Sequence, residues 1–290
     1  MDRFIFKRNA FSLLIVSFLL GCSGMRQALQ ELKPVAPKLQ LNKVALQHLS
    51  FQEITLGFYF RIHNPNPFSL SLTGFQYQLH VDSDQPLVAG FHNQPTTVPA
   101  RGDSTFTLPV SLTFKKIFQL FQNAQHQDSI PYTFQAKFRV IVPVLGEVTI
   151  PVNHTGHIPI IRPPKIKIKH LITDRISWQG ARLILQLELE NANHFPLTFS
   201  QLEYNIHIQK QAVAQGTSQQ SVQAHPHHPA VVSIPLELNF IQLGQSLYQM
   251  IARKTSLPLQ LTGKITLATP LPLLKQATLP FQLQTTVALK

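Results

Sequence analysis

Residues 54–62 alternate without a break. Ile54, Leu56, Phe58, Phe60 and Ile62 fall on one side, and Thr55, Gly57, Tyr59 and Arg61 on the other. A period of two over this length puts one face on a core and the other in solvent, as in an antiparallel sheet. The run stops at Asn64-Pro65-Asn66-Pro67. The two prolines lack N–H groups and bias their predecessors away from helix, while asparagine tolerates turn conformations. The arrangement returns 127 residues later, where Leu183, Leu185, Leu187 and Leu189 lead to Asn191-Ala192-Asn193-His194. A β module used twice is therefore expected. The 290 residues are 44% hydrophobic and only 13% charged, which gives each copy enough apolar material for its own core and excludes a disordered chain.

The copies agree beyond that run. Phe75, Tyr77, Leu79 and Val81 alternate after the first turn, and Leu202, Tyr204, Ile206 and Ile208 after the second. Gly90, matched by Gly216, and Pro99 to Asp103 read as further turns. The run Phe106, Leu108, Val110, Leu112, Phe114 has its counterpart in Val232, Ile234, Leu236, Leu238, Phe240. The period then changes. Ile117, Leu120, Phe121 and Ala124 have the spacing of a short amphipathic helix, and Phe240, Leu243, Leu247, Tyr248 and Ile251 describe a longer one. Strand periodicity resumes in Phe134 to Val142 and, after a turn at Pro143 to Gly146, in Val148 to Val152. Short strands separated by regular turn signals predict a mainly β fold. Two tandem antiparallel β-sandwich domains are expected, over residues 37–160 and 164–290, each with one short helix.

The first 36 residues are of another kind. Arg3, Lys7 and Arg8 precede an apolar run from Ala10 to Leu20 that is too short for a membrane span. It ends in Leu19-Leu20-Gly21-Cys22, which resembles the bacterial lipobox. Residues 1–21 are then a lipoprotein signal peptide, Cys22 the site of lipid attachment, and residues 22–36 a tether. Two or more acyl chains would give a stable membrane anchor. Cys22 is the only cysteine, so no intrachain disulfide is possible. Ser23, rather than aspartate, follows it, which in a Gram-negative cell favours the outer membrane facing the periplasm.

The Asn64-Pro65-Asn66-Pro67 turn, Gly74-Phe75-Gln76-Tyr77-Gln78-Leu79 and Leu108-Pro109-Val110 resemble the group 2 late-embryogenesis-abundant family, which carries the WHy domain. The resemblance covers nearly the whole chain after the leader, once per module. It is weaker in the second, where Ala192 and His194 replace the prolines and Gln201 replaces Gly74. It implies sandwiches of fibronectin-like or immunoglobulin-like outline. It also implies non-enzymatic protection of proteins or membranes during desiccation or cold, with Asn64, Pro65, Asn66, Pro67, Asn191 and Asn193 as structural turn residues. Client proteins or lipids are the expected partners. A lipid-binding or lipid-transfer module of the cell envelope is the alternative.

Sites for chemistry are sparse. His225-Pro226-His227-His228-Pro229 is the densest cluster of metal-ligand types, yet no cysteine or nearby carboxylate completes a set, and the reading is loop histidines with no metal. Arg101-Gly102-Asp103 reads as a turn. No phosphate-binding loop and no Ser/His/Asp signature is present, so neither catalytic residues nor cofactors are expected. Trp178 and the phenylalanines read as core. Arg162, Lys165, Lys167 and Lys169 form a basic stripe whose last three members share one strand face, read as solvated, with an anionic membrane surface as the sharper reading. The net charge of +12 suits acidic partners. The export signal argues against nucleic acid, and oligomeric state is not encoded in any pattern.

Overall fold

A computed structural model describes residues 33–81, 85–93, 95–253 and 255–290. The leader, Cys22 and most of the tether lie outside the described residues. The chain divides into two compact units. The first comprises residues up to Gln47, Thr55–Gln122 and Ile130–Ile158; the second comprises His48–Ile54, Asn123–Ser129 and Pro159–Lys290.

The first copy of the fold contains β1 (Lys38–Leu49), β2 (Glu53–His63), β3 (Leu70–His80), β4 (Pro86–His92), β5 (Thr96–Val98), β6 (Asp103–Thr113), α1 (Phe114–Leu120), β7 (Ser129–Val142) and β8 (Gly146–Pro159). One sheet has the order β1-β2-β6; the other runs β4-β3-β7-β8, with β5 also paired to β3. Aromatic rings join the two layers. Phe58 stacks on Phe134 at 4.1 Å, and Phe60 meets Phe138 at 5.1 Å. All four are essentially inaccessible to solvent. The alternation in β2 is therefore a row of core side chains, as the period of two requires.

The second copy repeats the order with β9 (Lys165–Ile176), β10 (Gly180–Glu190), β11 (Leu197–Ile208), β12 (Gln211–Ser218), β13 (Val222–Ala224), β14 (Ala230–Asn239), α2 (Phe240–Leu243), α3 (Gln245–Ala252), β15 (Leu257–Ala268) and β16 (Gln276–Val287). Its sheets are β14-β10-β9 and β12-β11-β15-β16, with β13 on β11. Much of the aromatic layer is replaced: Leu185 and Leu261 stand where Phe58 and Phe134 stand, and Leu187 and Ile265 where Phe60 and Phe138 stand. All four replacements are buried. Even the irregularity is shared, since the β3–β7 register slips between Leu72 and Gly74 and the β11–β15 register between Phe199 and Gln201.

The structure corrects several expectations. Gly90 and Gly216 are not turns but lie within β4 and β12. There a Cβ would come within 2.6 Å of the Tyr77 hydroxyl and 2.8 Å of the Tyr204 hydroxyl, so glycine makes room for a tyrosine on the neighbouring strand. The long second helix is two short ones, broken at Gly244, whose φ of +89° no ordinary residue adopts readily. The first helix ends at Leu120, and a 3-10 turn at Gln122–His126 follows. Trp178 is not core: at the β9–β10 turn it is 73% exposed. No helix among the described residues is long and apolar enough to cross a membrane.

Candidate functional site

Among the described residues, the polar residues buried as a whole are Asn64, Asn66, Asn191 and Asn193, the asparagines that follow β2 and β10. A buried polar group destabilises a fold unless it is hydrogen-bonded, and each of these four is.

Asn64 Nδ2 donates to the carbonyls of Phe68 at 2.7 Å and Pro99 at 2.9 Å, tying β2 to the turn before β3 and to the turn after β5. Its Oδ1 accepts from the backbone N–H and the Nδ2 of Asn66, both at 3.0 Å. Asn66 then turns outward along the chain. It donates to the Val35 carbonyl at 2.7 Å and accepts from the Val35 N–H at 2.8 Å. A side-chain amide carries a donor and an acceptor side by side, so it pairs with a backbone as a neighbouring strand would. The residues thus do more than turn the chain: they clamp the segment that leads into β1.

The second copy has the same clamp but for one acceptor, since Ala224 is the counterpart of Val98, which Asn64 Nδ2 meets at 3.4 Å, and not of Pro99. Asn191 Nδ2 donates to Phe195 and Ala224, Asn191 Oδ1 accepts from Asn193, and Asn193 grips the N–H and carbonyl of Arg162 at 2.8 Å each. Ala192 and His194 replace Pro65 and Pro67. The asparagine pair therefore forms in the second copy with no proline beside it. Val35 and Arg162 were invisible as clamp partners in the sequence because only their backbone is used. The available signal was that both asparagines recur at an interval of 127 residues while both prolines do not.

Beside the first clamp, Asp103 receives Arg61 Nη2 at 2.8 Å and lies 3.1 Å from His63 Nδ1. The Arg61 hydrogen bond holds the carboxyl below its ordinary value and raises the guanidinium. Gly102 N–H bonds Pro99 O, so the Arg101-Gly102-Asp103 segment closes a turn whose carboxylate is already engaged.

The histidine loop joins β13 to β14. His228 N–H closes a turn on His225 O, and His227, with φ of +58°, lies 3.4 Å from His194 across one ring-nitrogen contact. Among the described residues, no group of three His, Cys, Asp or Glu side chains is placed to hold a metal ion. The basic stripe on β9 meets an acidic one on β10: Lys167 pairs with Glu190, and Lys169 with Glu188 at 3.0 Å. The bond to Glu190 raises the Lys167 ammonium above its ordinary value. Arg162 does not share that face; its guanidinium is largely buried, which lowers its value. Lys167 and Lys169 therefore belong to a cross-strand ladder that offsets their charge and weakens their attraction for an anionic membrane.

With the fold repeated and the clamp common to both copies, the chain falls into a known class. Residues 59–156 and 186–285 both match the LEA_2 family, late embryogenesis abundant protein. The chain belongs to that family, with one match in each copy. Among solved structures, a putative late embryogenesis abundant protein is 18% identical, with a TM-score of 0.37, and aligns over 51% of this chain and 85% of its own. A protein from Arabidopsis thaliana is 19% identical with a TM-score of 0.34, over 44% of this chain and 86% of its own. One from Archaeoglobus fulgidus is 17% identical with a TM-score of 0.30, over 43% and 96%. No curated protein matches the chain.

Proposed function

We propose that this is a membrane-anchored, non-enzymatic LEA type 2 lipoprotein with WHy-type domains that protects proteins or membranes during desiccation or cold. The observation that carries this reading is the family match in both copies. The sequence Leu19-Leu20-Gly21-Cys22 supports an acyl anchor in the cell envelope, at the outer membrane facing the periplasm. The solvent-facing strands suit weak, many-sited contact with clients. On β16 the outward residues are Gln276, Thr278, Pro280, Gln282 and Gln284, all exposed and none charged.

Two measurements test it. Labelled palmitate is expected on the full chain and absent after Cys22→Ala, with the variant recovered in the soluble fraction. The purified protein is expected to slow aggregation of a drying client enzyme more than an equal mass of albumin; parity with albumin removes the protective role.

A second reading, a lipid-binding module, is favoured by one feature of the second unit. The core-facing Ile166 and Ile168 of β9, and Leu279, Phe281 and Leu283 of β16, are only half-buried. The edge they share is closed at one end, where Leu171 bridges Leu289. Native mass spectrometry of detergent-free protein decides this: bound lipid across preparations supports it, and repeated absence rejects it.

A further inference from the structure

The outward face of β3, β4 and β7 has a composition unlike its counterpart in the second copy. Side chains alternate across a strand, so Gln76, Gln78, Gln135 and Lys137 point away from the core, and all are exposed. Register places Gln76 directly between Phe91 and Lys137, and Gln78 between Ala89 and Gln135. Phe91 is 74% exposed. Together they line a shallow cleft of about 160 Å³, with Tyr77, Gly90 and Ala136 completing its lining. These three strands contain no aspartate or glutamate, while β7 adds Arg139 to the same face.

The duplication supplies the comparison. Lys264 stands where Lys137 stands, but the residue across from it is Glu203 instead of Gln76, and the residue beyond is Thr217 instead of Phe91. The second copy thus places a carboxylate beside its lysine and has no ring. In the first copy the lysine faces a neutral amide, next to a flat apolar surface in water. An exposed ring among amides, with cations and no anions, is the chemistry that receives a sugar carrying a carboxylate. The ring takes the apolar face of a pyranose, the amides take its hydroxyls as donors and acceptors, and the ammonium takes the acid. A flat strand surface also suits an extended chain better than a compact ligand.

We propose that this face binds an acidic polysaccharide, with Phe91 as the stacking platform, Gln76, Gln78 and Gln135 as the hydroxyl readers and Lys137 as the carboxylate partner. The second copy lacks this site.

The test uses the purified mature chain and oligomannuronate of defined length, with polyglutamate as a sugar-free polyanion and a neutral mannan as an uncharged sugar, all by calorimetry. Saturable binding of oligomannuronate is expected, weakened about tenfold by Phe91→Ala and by Lys137→Gln, and unchanged by Lys264→Gln. Phe91 is exposed, so its truncation leaves the core intact, and circular dichroism confirms the fold. Equal affinity for polyglutamate, indifference to Phe91→Ala, or no binding at millimolar oligomannuronate overturns the proposal. Equal binding of the neutral mannan, unaffected by Lys137→Gln, overturns the acidic specificity.

Discussion

Replacing Asn66 with alanine removes three hydrogen bonds at once: two to the Val35 backbone and one to Asn64 Oδ1. Each contributes about 1 kcal/mol net, and Asn64 Oδ1 keeps its bond from the Asn66 N–H. The Val35 groups are partly accessible and can turn to water, so the loss is about 2–3 kcal/mol. For a unit of this size that lowers its melting temperature by about 6–12 °C. The sharper readout is local. The Val35 N–H is held by Asn66 Oδ1, and the Arg162 N–H by Asn193 Oδ1. In Asn66→Ala, amide exchange at Val35 is expected to accelerate at least tenfold while Arg162 keeps its rate; Asn193→Ala reverses the pattern. An unchanged rate at Val35, or equal acceleration at both sites, would refute the clamp. Asn64→Asp extends the reasoning. A carboxylate there would face two carbonyls with no donor, so the variant is destabilised at neutral pH. Its folded-state pKa is raised, so relative to the parent it regains stability as pH falls and the acid becomes a donor. A pH-independent difference would contradict the assigned amide orientation.

Pro65→Ala and Pro67→His are each expected to change the unfolding free energy of the first unit, read from urea titration, by less than about 1 kcal/mol, since the second copy keeps the asparagine pair with Ala192 and His194. Gly263→Ala places a Cβ 2.0 Å from the Glu203 carbonyl oxygen and is expected to destabilise the second unit by more than about 3 kcal/mol. Gly146→Ala meets nothing within 4 Å, and at φ of +80° loses only about 1 kcal/mol of conformational strain; thermal melts distinguish the two. The Asp103 carboxyl is held low in the fold, so its stabilisation is present above the ordinary carboxylate range and is lost as pH falls through the folded value. The melting curves of the parent and Asp103→Asn are expected to differ at neutral pH and to converge in acid.

Much of the fold was legible because its core is periodic. The alternation of Ile54 to Ile62 and of Leu183 to Leu189 each marked a strand that proved fully buried on one side. The interval of 127 residues marked the duplication, while the bulge shared by the two copies became visible only in the strand register. What the sequence hid follows from physical causes. Strand β1 was missed because its inner residues are only half-buried and its alternation breaks near Lys43. Gly90 and Gly216 resembled turns because glycine has one symbol for two uses, a positive φ and a missing Cβ, and here the Tyr77 and Tyr204 rings take up the second. Trp178 reads as core by residue type, but it sits at the β9–β10 turn and is exposed. The asparagines were recognised as turn residues. Their grip on Val35 and Arg162 was not, because a backbone partner some 30 residues upstream leaves no mark on residue type.

The two copies show which features are coupled and which are free. The asparagine pair is unchanged because its parts meet as a set: losing either asparagine strands the other's buried amide, so single changes are opposed. Between the layers the core has changed at linked positions, from rings to aliphatic chains. Phe58 and Phe134 touch, and replacing one alone would leave a cavity or a clash, whereas replacing both preserves close packing. The outer faces obey neither constraint, because a solvent-facing side chain has no neighbour that must follow it. There the copies differ most in chemistry: Gln76 against Glu203, Phe91 against Thr217. Shared structure therefore resides in the clamp and the layers, and any division of labour between the copies must be sought on their exposed sheets. Transplanting that difference isolates it. Phe91→Thr combined with Gln76→Glu gives the first copy the face of the second, and the clamp and core predict no change in its unfolding free energy beyond about 1 kcal/mol, read from thermal melts. A larger loss would mean that the face is part of the scaffold and not a surface free to diverge.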